Sequence, residues 1–435
     1  MPVYLNTASV NFESEFDALL SAKREASVDV GEAVDAILQE VRENGDAAVI
    51  QLTEKFDKLS LNSASLSFTE AEIDAAIAQV DPEEAQALKL AATRIRDYHE
   101  RQLPKDENWM GPHGESLGWR WTPVDRAGLY VPGGLASYPS SVLMNAIPAQ
   151  VAGVKDLCIC APCPEGNFNP LVLLAARLAG VETIYKIGGA QAIAAMAYGT
   201  ETIRKVDVIT GPGNAYVAAA KARVYGQVGI DMIAGPSEIL VIADKDNDPN
   251  WIALDMLSQA EHDESAQAIL ISDDGPFVTK VTEAIEKRLE TLERRNVAGA
   301  SWRDYGAAIV VEDLDEAAKL SNRLAPEHLE LCVEDPEALS EKVTHAGAIF
   351  LGHYTPEAIG DYVGGPNHVL PTARSARFAS GLSVLDFMKR TTIAKMTPEA
   401  LNMIGPAAET LANSESLEAH GLSIRARLNH LNSKS

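Results

Sequence analysis

Positive charge is scarce in this chain of 435 residues. Its 37 Lys and Arg residues are outnumbered by 62 Asp and Glu residues, which gives a formal net charge of −25 at pH 7. Nucleic-acid binding requires Lys and Arg clustered against the phosphates, so the charge balance argues against a nucleic-acid partner. An acidic surface that aids solubility explains most of the excess.

Long apolar runs are also missing. No stretch reaches the roughly 18 consecutive apolar residues of a transmembrane helix, so no membrane span is predicted. The first residues, MPVYLNTASVNFESEFD, lack a basic segment followed by an apolar one, and we expect no secretory signal. Both absences favour a cytoplasmic protein that does not contact a membrane.

Cysteine is rare, with four residues in the chain. Cys158, Cys160 and Cys163 lie in VKDLCICAPCP, and Cys332 lies in LELCVED. The C-x-x-C formed by Cys160 and Cys163 is a spacing used in metal and redox sites. However, apolar residues alternate with these cysteines as in a buried strand, and no second pair completes a zinc knuckle. We therefore interpret the thiols as small buried hydrophobes.

The pattern of the chain changes near residue 125. Before it, helices are predicted, with a capping box from Thr69 to Glu72 and a helix start at Asp81-Pro82. After it, Ala-rich helical stretches alternate with eight β-rich runs: DLCICAP, TIYKIGG, VDVITGPGN, SEILVIAD, QAILISD, AAIVVED, LELCVED and GAIFLG. Such alternation predicts an α/β fold with parallel sheets covered on both faces. Eight strands exceed one small domain, so we expect two doubly wound, incomplete Rossmann-like domains with small helical segments at both termini.

We expect four parts along the chain. Residues 1–24 form an N-terminal helical arm, and residues 25–129 together with 239–380 form a first α/β domain. Residues 130–238 form a second α/β domain with nucleotide-binding turns. Beyond about residue 381 the predicted strands stop, and residues 381–435 form a helical tail with little core of its own.

Four glycine clusters are predicted at turns from a strand to a helix. They are Val131-Pro132-Gly133-Gly134, Gly188-Gly189-Ala190-Gln191, Gly211-Pro212-Gly213-Asn214 and Gly235-Pro236-Ser237. Glycine lets a ligand approach the backbone, and the N-terminus of a following helix favours phosphate. No G-x-G-x-x-G is present, and one cluster alone would be an ordinary tight turn. Four clusters together favour a nucleotide or substrate cleft at the carboxyl ends of the strands.

Two short motifs carry groups suited to metal binding or proton transfer. Gln259 and His262 of SQAEH are three residues apart and share a face of a predicted helix. Alone, they indicate a surface pair rather than a metal site. Glu327 and His328 of APEH begin a predicted strand and can act as an acid/base pair, although an isolated Glu-His dipeptide more often forms a salt-linked loop.

Two further groups lie near predicted helix ends. A helix capped by Thr355, with Pro356 as its first residue, places Asp361 near its C-terminus. His420 precedes Gly421, which predicts a second helix end. A cationic His is favourable there without any role as a ligand.

Considered together, these segments resemble those of histidinol dehydrogenases. The resemblance is carried, in order and spacing, by AGLYVPGGLASYPSSVLMNAIPA, IGGAQAIAA, GPGN, DMIAGPSE, LSQAEH, APEHLE, GPNHVLPT and FMKRT. It extends from about residue 25 to 430, which is nearly the whole chain. It implies an NAD-dependent zinc oxidoreductase that converts L-histidinol through L-histidinaldehyde to L-histidine, the last step of histidine biosynthesis.

The resemblance also implies roles for individual residues. It implies one zinc ion per subunit, held by Gln259, His262, Asp361 and His420. It implies an acid/base pair, Glu327 and His328, on the first α/β domain. It implies NAD contacts at Tyr130, Gln191 and Asn214. It implies substrate contacts at Ser237, Gln259, His262, His328, Asp361, Glu415 and His420. Finally, it implies a homodimer in which the tail of each subunit completes the partner's active site.

The chemistry of these residues agrees with the implied reaction. Two imidazoles with amide and carboxylate oxygens suit zinc, and manganese or cobalt could also bind. Four electrons leave the alcohol carbon, so two hydrides pass to two NAD⁺ in succession. We assign His328 as the base for the alcohol proton and Glu327 as the group that activates water for aldehyde oxidation. No cysteine lies in these motifs, so water rather than a thiol is the expected nucleophile.

Two other functions stay open at this point. A related metal-dependent NAD alcohol dehydrogenase could act on another small alcohol, such as sulfopropanediol. That anionic substrate would require Arg or Lys, whereas this sequence offers Glu327, Asp361 and Glu415, which suit a cationic amino alcohol. A non-catalytic nucleotide- or metal-binding protein is the second alternative, and it would not need the Glu327–His328 pair.

Overall fold

The chain forms two compact units in a computed structural model that describes residues 1–22, 30–133, 138–233 and 235–433. The first unit, here called the body, comprises Met1–Gln102 and Asp125–Phe387. The second, here called the tail unit, comprises Leu103–Val124 and Met388–Ser435. Among the described residues, no helix combines the length and apolar character needed to cross a membrane.

The strands and helices of both units are numbered along the chain. The strands are β1 (Val3–Asn6), β2 (Glu107–Met110), β3 (Ser116–Pro123), β4 (Arg126–Tyr130), β5 (Asp156–Cys160), β6 (Thr183–Tyr185), β7 (Val208–Thr210), β8 (Gly229–Ile230), β9 (Glu238–Ala243), β10 (Gln267–Ser272), β11 (Ala307–Val310), β12 (His328–Cys332), β13 (Ala348–Leu351) and β14 (Met388–Lys395). The helices are α1 (Phe12–Ser21), α2 (Gly31–Asp57), α3 (Glu70–Ile77), α4 (Pro82–Glu100), α5 (Pro139–Val151), α6 (Pro170–Leu178), α7 (Gly189–Tyr198), α8 (Ala215–Val224), α9 (Pro249–Ala260), α10 (Gly275–Leu289), α11 (Arg295–Tyr305), α12 (Leu314–Leu324), α13 (Pro336–Ser340), α14 (Glu357–Tyr362), α15 (Pro398–Ser414) and α16 (Glu418–Asn432).

Two parallel sheets organise the body. One has six strands in the order β1-β11-β10-β9-β12-β13, and the other has five in the order β6-β5-β4-β7-β8. All strand pairs in both sheets are parallel. The α/β fold with parallel sheets is therefore confirmed, and each of the eight predicted runs contains a strand. The boundaries of the predicted domains, near residues 130 and 239, stay a prediction.

Strand β9 illustrates why the runs are apolar throughout. Ile239 and Val241 pack into a core that includes side chains of α9, α10 and α11. Leu240 and Ile242 pack into a second core with side chains of α1 and α12. Successive side chains point to opposite faces of a sheet, so a strand covered on both faces has no polar side.

Burial in these sheets also accounts for the cysteines. Cys158 and Cys160 of β5, Cys163 after it and Cys332 of β12 are all buried and free of disulfides. Burial raises the pKa of all four thiols, and that of Cys163 to about 12. Thiols of this kind are poor nucleophiles and metal ligands, as the alternation pattern indicated.

The tail unit contains a sheet that the sequence pattern did not indicate. Strands β14, β3 and β2 form an antiparallel sheet in that order, and β14 pairs with β3 along its whole length. The expectation that strands stop beyond about residue 381 is therefore wrong at β14. This strand, MKRTTIAK, is largely exposed. It forms because its backbone pairs with β3, not because one of its faces is buried. Two helices, α15 and α16, follow as expected.

Two of the predicted helix starts are confirmed, and a third is displaced by one residue. The capping box at Thr69 and Glu72 and the cap at Asp81 are both present. Helix α14 begins one residue later than expected, because the Thr355 hydroxyl donates to the Leu351 carbonyl instead of capping the helix.

The predicted helix end at His420 is wrong. His420 lies in the first turn of α16, at a helix start rather than a helix end. The neighbouring Gly421 is buried and lies against the Asn413 side chain, where an added Cβ would be 2.8 Å from Oδ1. From the sequence alone, a glycine required for close packing cannot be distinguished from a glycine that ends a helix, and this explains the error.

Candidate functional site

A cleft of about 530 Å³ lies in the body between the two parallel sheets. From the five-stranded sheet it is lined by residues that follow the carboxyl ends of β4 and β7. From the six-stranded sheet it is lined by residues at the amino ends of β9 and β12. These lining residues include Pro132, Gly133, Gly211, Asn214, Ser237, Glu327 and His328.

The glycine clusters contribute to the cleft in two different ways. The clusters at Gly188 and Gly211 lie between a strand and a helix, and the described part of the Val131 cluster follows β4, as expected. The cluster at Gly235 instead precedes β9, so its assignment as a strand-to-helix turn is wrong. The chain passes there from β8 in one sheet to β9 in the other. Ser237 therefore lies at an amino end rather than a carboxyl end.

Glu327 and His328 are both held by Glu238, which begins the neighbouring strand β9. The Glu238 backbone N–H donates to Glu327 Oε2 at 2.9 Å, and the Glu327 backbone N–H donates to Glu238 Oε2 at 3.3 Å. His328 Nδ1 lies 3.0 Å from the Glu238 carbonyl oxygen. By contrast, His328 Nδ1 and Glu327 Oε2 are 3.6 Å apart. Glu327 and His328 are therefore held next to each other by their hydrogen bonds to Glu238, not by a direct hydrogen bond.

These contacts fix the tautomer of His328. A backbone carbonyl can only accept, so Nδ1 carries the proton and Nε2 carries the lone pair. Burial lowers the pKa of His328 to about 4, which keeps the ring neutral at pH 7. Nε2 is buried and has no hydrogen-bond partner among the described residues. A neutral imidazole with an unused basic nitrogen is suited to accept a proton.

Helix α14 places two carboxyl groups beside this nitrogen. Glu357 Oε1 is 3.6 Å from His328 Nε2, and ligand atoms of His328, Glu357 and Asp361 lie within 4.8 Å of one another. Burial, with the nearby Asp361 and Glu330 carboxylates, raises the pKa of Glu357 to about 9. Burial opposes ionisation of Asp361, but the hydrogen bond and charge of His368, together with His328 and His262, lower its pKa to about 2. Asp361 is therefore the ionised member.

Gln259 and His262 lie at the end of α9. Gln259 is the second-last residue of the helix, and its Nε2 is 2.9 Å from His262 Nδ1. The two side chains are in contact, but the prediction that both lie on the helix is wrong for His262, because α9 ends at Ala260 and His262 lies in the following turn. Gln259 Oε1 is buried and, within the described parts of the chain, accepts no hydrogen bond. A buried amide oxygen without a partner costs free energy unless a ligand completes it.

The donor set in the cleft fits a metal ion. Imidazole nitrogens and a carboxylate line the cleft, and Gln259, which contacts His262, has an amide oxygen without a partner among the described residues; zinc accepts all of these groups. His262 and Asp361 line the cleft, and His262 affects the pKa of Asp361. Among the described residues, the acidic and imidazole groups that lie close enough to share a metal ion are His328, Glu357 and Asp361, and of these only Asp361 was predicted as a ligand.

The residues expected to contact NAD lie on the five-stranded sheet. Tyr130 ends β4, and its hydroxyl accepts from the Gly189 N–H at 3.1 Å, at the start of α7, which contains Gln191. Tyr130 and Gln191 are both buried and are not among the residues that line the cleft. Asn214 lines the cleft and caps α8, because its Oδ1 accepts from the Tyr216 and Val217 N–H groups. Their role as cofactor contacts stays a prediction.

Cations in the cleft wall are already engaged by the protein. Lys221 forms a buried ion pair with Asp231 and donates to the Gly211 carbonyl at 2.8 Å. Arg294 donates to the Glu261 carbonyl at 2.9 Å. The carboxylates of Glu327 and Asp361 therefore dominate the electrostatics of the cleft, which favours a cationic ligand.

Two predicted site residues belong to the other unit. Glu415 follows α15 and His420 lies in the first turn of α16, both in the tail unit. Both residues are exposed. Their proposed roles as substrate contact and metal ligand stay predictions.

Comparison with known proteins identifies the family. The histidinol dehydrogenase family model matches residues 20–428. The chain is 69% identical to the histidinol dehydrogenase of Ruegeria pomeroyi over 432 residues, which covers 99% of this chain and 100% of that protein. The chain belongs to the histidinol dehydrogenase family. The histidinol dehydrogenase of Cereibacter sphaeroides is also 69% identical over 432 residues, with the same coverage. The crystal structure of histidinol dehydrogenase from Elizabethkingia anophelis has a TM-score of 0.95 and 39% identity, covering 99% of both chains.

Three further residues lie against this site, although the sequence patterns assign them no role. Glu238, Glu357 and His368 all contact predicted site residues. Glu238 lies in DMIAGPSE and His368 in GPNHVLPT, so position within a recognised motif was an available signal. Glu357 had no such signal, because its importance comes from burial beside His328.

A glycine next to the acid/base pair provides a test of its geometry. An added Cβ at Gly347 would lie 2.5 Å from the Glu327 carbonyl oxygen. Gly347→Ala should therefore displace Glu327, destabilise the protein by about 1–3 kcal/mol and slow NADH formation by about 100-fold. Gly275→Ala is a matched control, since its Cβ would meet only side-chain atoms at 3.9 Å. Thermal unfolding and NADH absorbance measure both effects. Equal activity of the two variants would contradict the proposed tight geometry.

Proposed function

We propose that this chain catalyses the NAD⁺-dependent oxidation of L-histidinol, through L-histidinaldehyde, to L-histidine. The observation that carries the proposal is the neutral His328, whose unpartnered Nε2 lies in an acidic cleft beside Asp361 and Glu357. Membership in the family supplies the substrate. An amino alcohol is cationic and complements the excess carboxylates, whereas an anionic alcohol such as sulfopropanediol would be repelled by them.

In the first oxidation, His328 acts as the base. Nε2 accepts the proton of the substrate hydroxyl, while Nδ1–H stays on the Glu238 carbonyl and stabilises the imidazolium that forms. NAD⁺ accepts the hydride from the same carbon, which becomes the aldehyde. His328 then releases its proton, because burial disfavours the charged ring.

In the second oxidation, Glu327 acts on water. Its carboxylate lines the cleft next to His328 and takes a proton from water as the oxygen adds to the aldehyde carbon. The hydrated aldehyde loses its hydride to a second NAD⁺ and becomes the carboxylic acid. Water rather than a cysteine thiol acts as the nucleophile, because the four cysteines are buried and their pKa values are raised.

A zinc ion would be held by Gln259, His262 and Asp361 of the body and by His420 of a tail unit. When bound, it would orient the amine and imidazole of the substrate rather than supply hydroxide. The partnerless Gln259 Oε1 and the low pKa of Asp361 support this assignment. His368 would position Asp361, whose backbone carbonyl lies 3.0 Å from His368 Nδ1.

We further propose a cytoplasmic homodimer in which each tail unit serves the partner's cleft. Glu415 and His420 are exposed on the tail unit, so they are accessible to another subunit. The same unit exposes large apolar side chains, including Met110, Met403 and Leu411, which favours burial against protein. Exchange of such a segment between identical chains is a form of domain swapping.

Reaction stoichiometry tests the proposed function. The purified protein should form two NADH for each L-histidinol consumed, with L-histidine as the product, because four electrons leave one carbon. NADH absorbance and chromatography of the product measure both quantities. One NADH per substrate with accumulated aldehyde, or no reaction, would contradict the proposal.

Metal content tests the ligand assignment. A chelator should remove zinc and abolish activity, and added zinc should restore it. His262→Ala should retain less than about a tenth of the wild-type metal, since loss of a ligand weakens binding strongly. His353→Ala is the control, because His353 bonds to Asn247 instead of lining the cleft. Full metal occupancy in His262→Ala would refute the assignment.

Mixing two inactive variants tests the exchange of tail units. Asp361→Ala damages the body and His420→Ala damages the tail unit. After unfolding and refolding together, each mixed dimer should contain one intact site, which gives about a quarter of wild-type activity for random pairing. Asp361→Ala mixed with Gln259→Ala, two body lesions, should remain inactive. A mixture of the first pair that stays inactive despite proven heterodimers would exclude exchange.

A further inference from the structure

Glu238 is connected to the acid/base pair by an unusual number of contacts. Its carboxylate accepts from the Glu327 N–H through Oε2 and from the Ala373 N–H through Oε1, at 3.3 and 3.0 Å. Its own N–H donates to Glu327 Oε2, and its carbonyl accepts from His328 Nδ1. Every polar group of this one residue therefore bonds to the pair or to the Ala373 turn.

The position of Glu238 explains these contacts. Ile239 of β9 is paired with His328 of β12, so Glu238 and Glu327 directly precede a paired position on adjacent strands. A buried backbone N–H group requires an acceptor. Here each glutamate supplies the acceptor for the other's N–H. These two hydrogen bonds consequently hold the start of β9 against the residue that precedes β12.

The Ala373 contact adds a second constraint. Ala373 and Arg374 both have left-handed backbones, with φ of 51° and 65°, which non-glycine residues seldom adopt. Such a turn persists only when surrounding contacts determine it. Glu238 Oε1 provides one of those contacts, and Thr372, the preceding residue, lines the cleft. Glu238 thus joins the start of β12 to a strained turn at the edge of the cleft.

We infer that Glu238 is a positioning residue for the oxidation. It holds Glu327 in place to take a proton from water, and it holds His328 in place to take a proton from the alcohol. This inference rests on the proposed acid/base roles of Glu327 and His328. Both oxygens of the Glu238 carboxylate are required, because they accept from two different backbone N–H groups. An amide has one oxygen, and its NH₂ group would oppose the remaining N–H.

The first measurement is the effect of Glu238→Gln on each half of the reaction. Turnover of L-histidinaldehyde should fall by about 100-fold, because the Glu327 backbone loses its fixed position. Oxidation of L-histidinol to the aldehyde should fall less, since the Glu238 carbonyl that holds His328 is retained. Zinc content should stay at the wild-type level. Glu238→Asp, which keeps the charge but shortens the side chain, should give an intermediate loss.

Asp46→Asn is the matched control. Asp46 is a buried carboxylate of the body, 5% exposed compared with 6% for Glu238, and it accepts hydrogen bonds from Thr200 and Thr202. It does not line the cleft. This variant should lose thermal stability but keep the wild-type ratio of the two half-reactions. A merely structural role for Glu238 would produce the same result in Glu238→Gln.

A double-variant cycle decides whether Glu238 acts through Glu327. If it does, adding Glu238→Gln to Glu327→Gln should slow aldehyde turnover by less than about threefold, because the position of Glu327 no longer matters. The inference would be overturned if the double variant lost aldehyde turnover by the product of the two single losses. It would also be overturned if Glu238→Gln carried out both half-reactions at wild-type rates. If Glu238→Gln does not fold, Glu238→Asp enters the same cycle. Failure of the proposed function is separately visible, as wild-type protein that forms no NADH from L-histidinol or as a Glu327→Gln variant with unimpaired aldehyde turnover.

Discussion

The site depends on how two buried backbone N–H groups, that of Glu238 at the start of β9 and that of Glu327 just before β12, find their acceptors. Glu238 and Glu327 each accept from the other's N–H, and the Glu238 carbonyl fixes the tautomer of His328. The side chains that could perform chemistry are therefore also the side chains that complete the sheet. Their positions are fixed by hydrogen bonds to the backbone of two adjacent strands.

Several carboxyl groups lie close together in the buried region around the cleft. Burial and the neighbouring Asp255 raise the pKa of Glu330, and burial, with nearby carboxyl groups, raises that of Glu357 to about 9. Asp361 and Glu327 lie near them on the cleft wall. A cationic substrate and a metal ion would offset part of the negative charge of these carboxylates. Ligand binding should accordingly stabilise the body as well as enable the reaction.

The strands and caps of the body could be read from the sequence because their causes are local. Continuous apolar runs such as SEILVIAD predict buried strands, and Thr69 and Glu72 predict their own capping box. The errors arose where a distant partner decides the structure. β14 is polar and exists through its pairing with β3, and Gly421 is selected by contact with Asn413. Likewise, the roles of Glu238 and Glu357 depend on neighbours that no sequence spacing specifies.

The tail unit has a consequence for the order of synthesis. Its sheet joins β2 and β3 to β14, which the ribosome makes roughly 270 residues later. At translation rates of about 5–20 residues per second, the edge of β3 waits unpaired for roughly tens of seconds. An open edge can pair with any suitable strand, including β14 of a neighbouring nascent chain. The distance between these strands in the sequence therefore sets a period during which two chains synthesised side by side could pair their strands with each other.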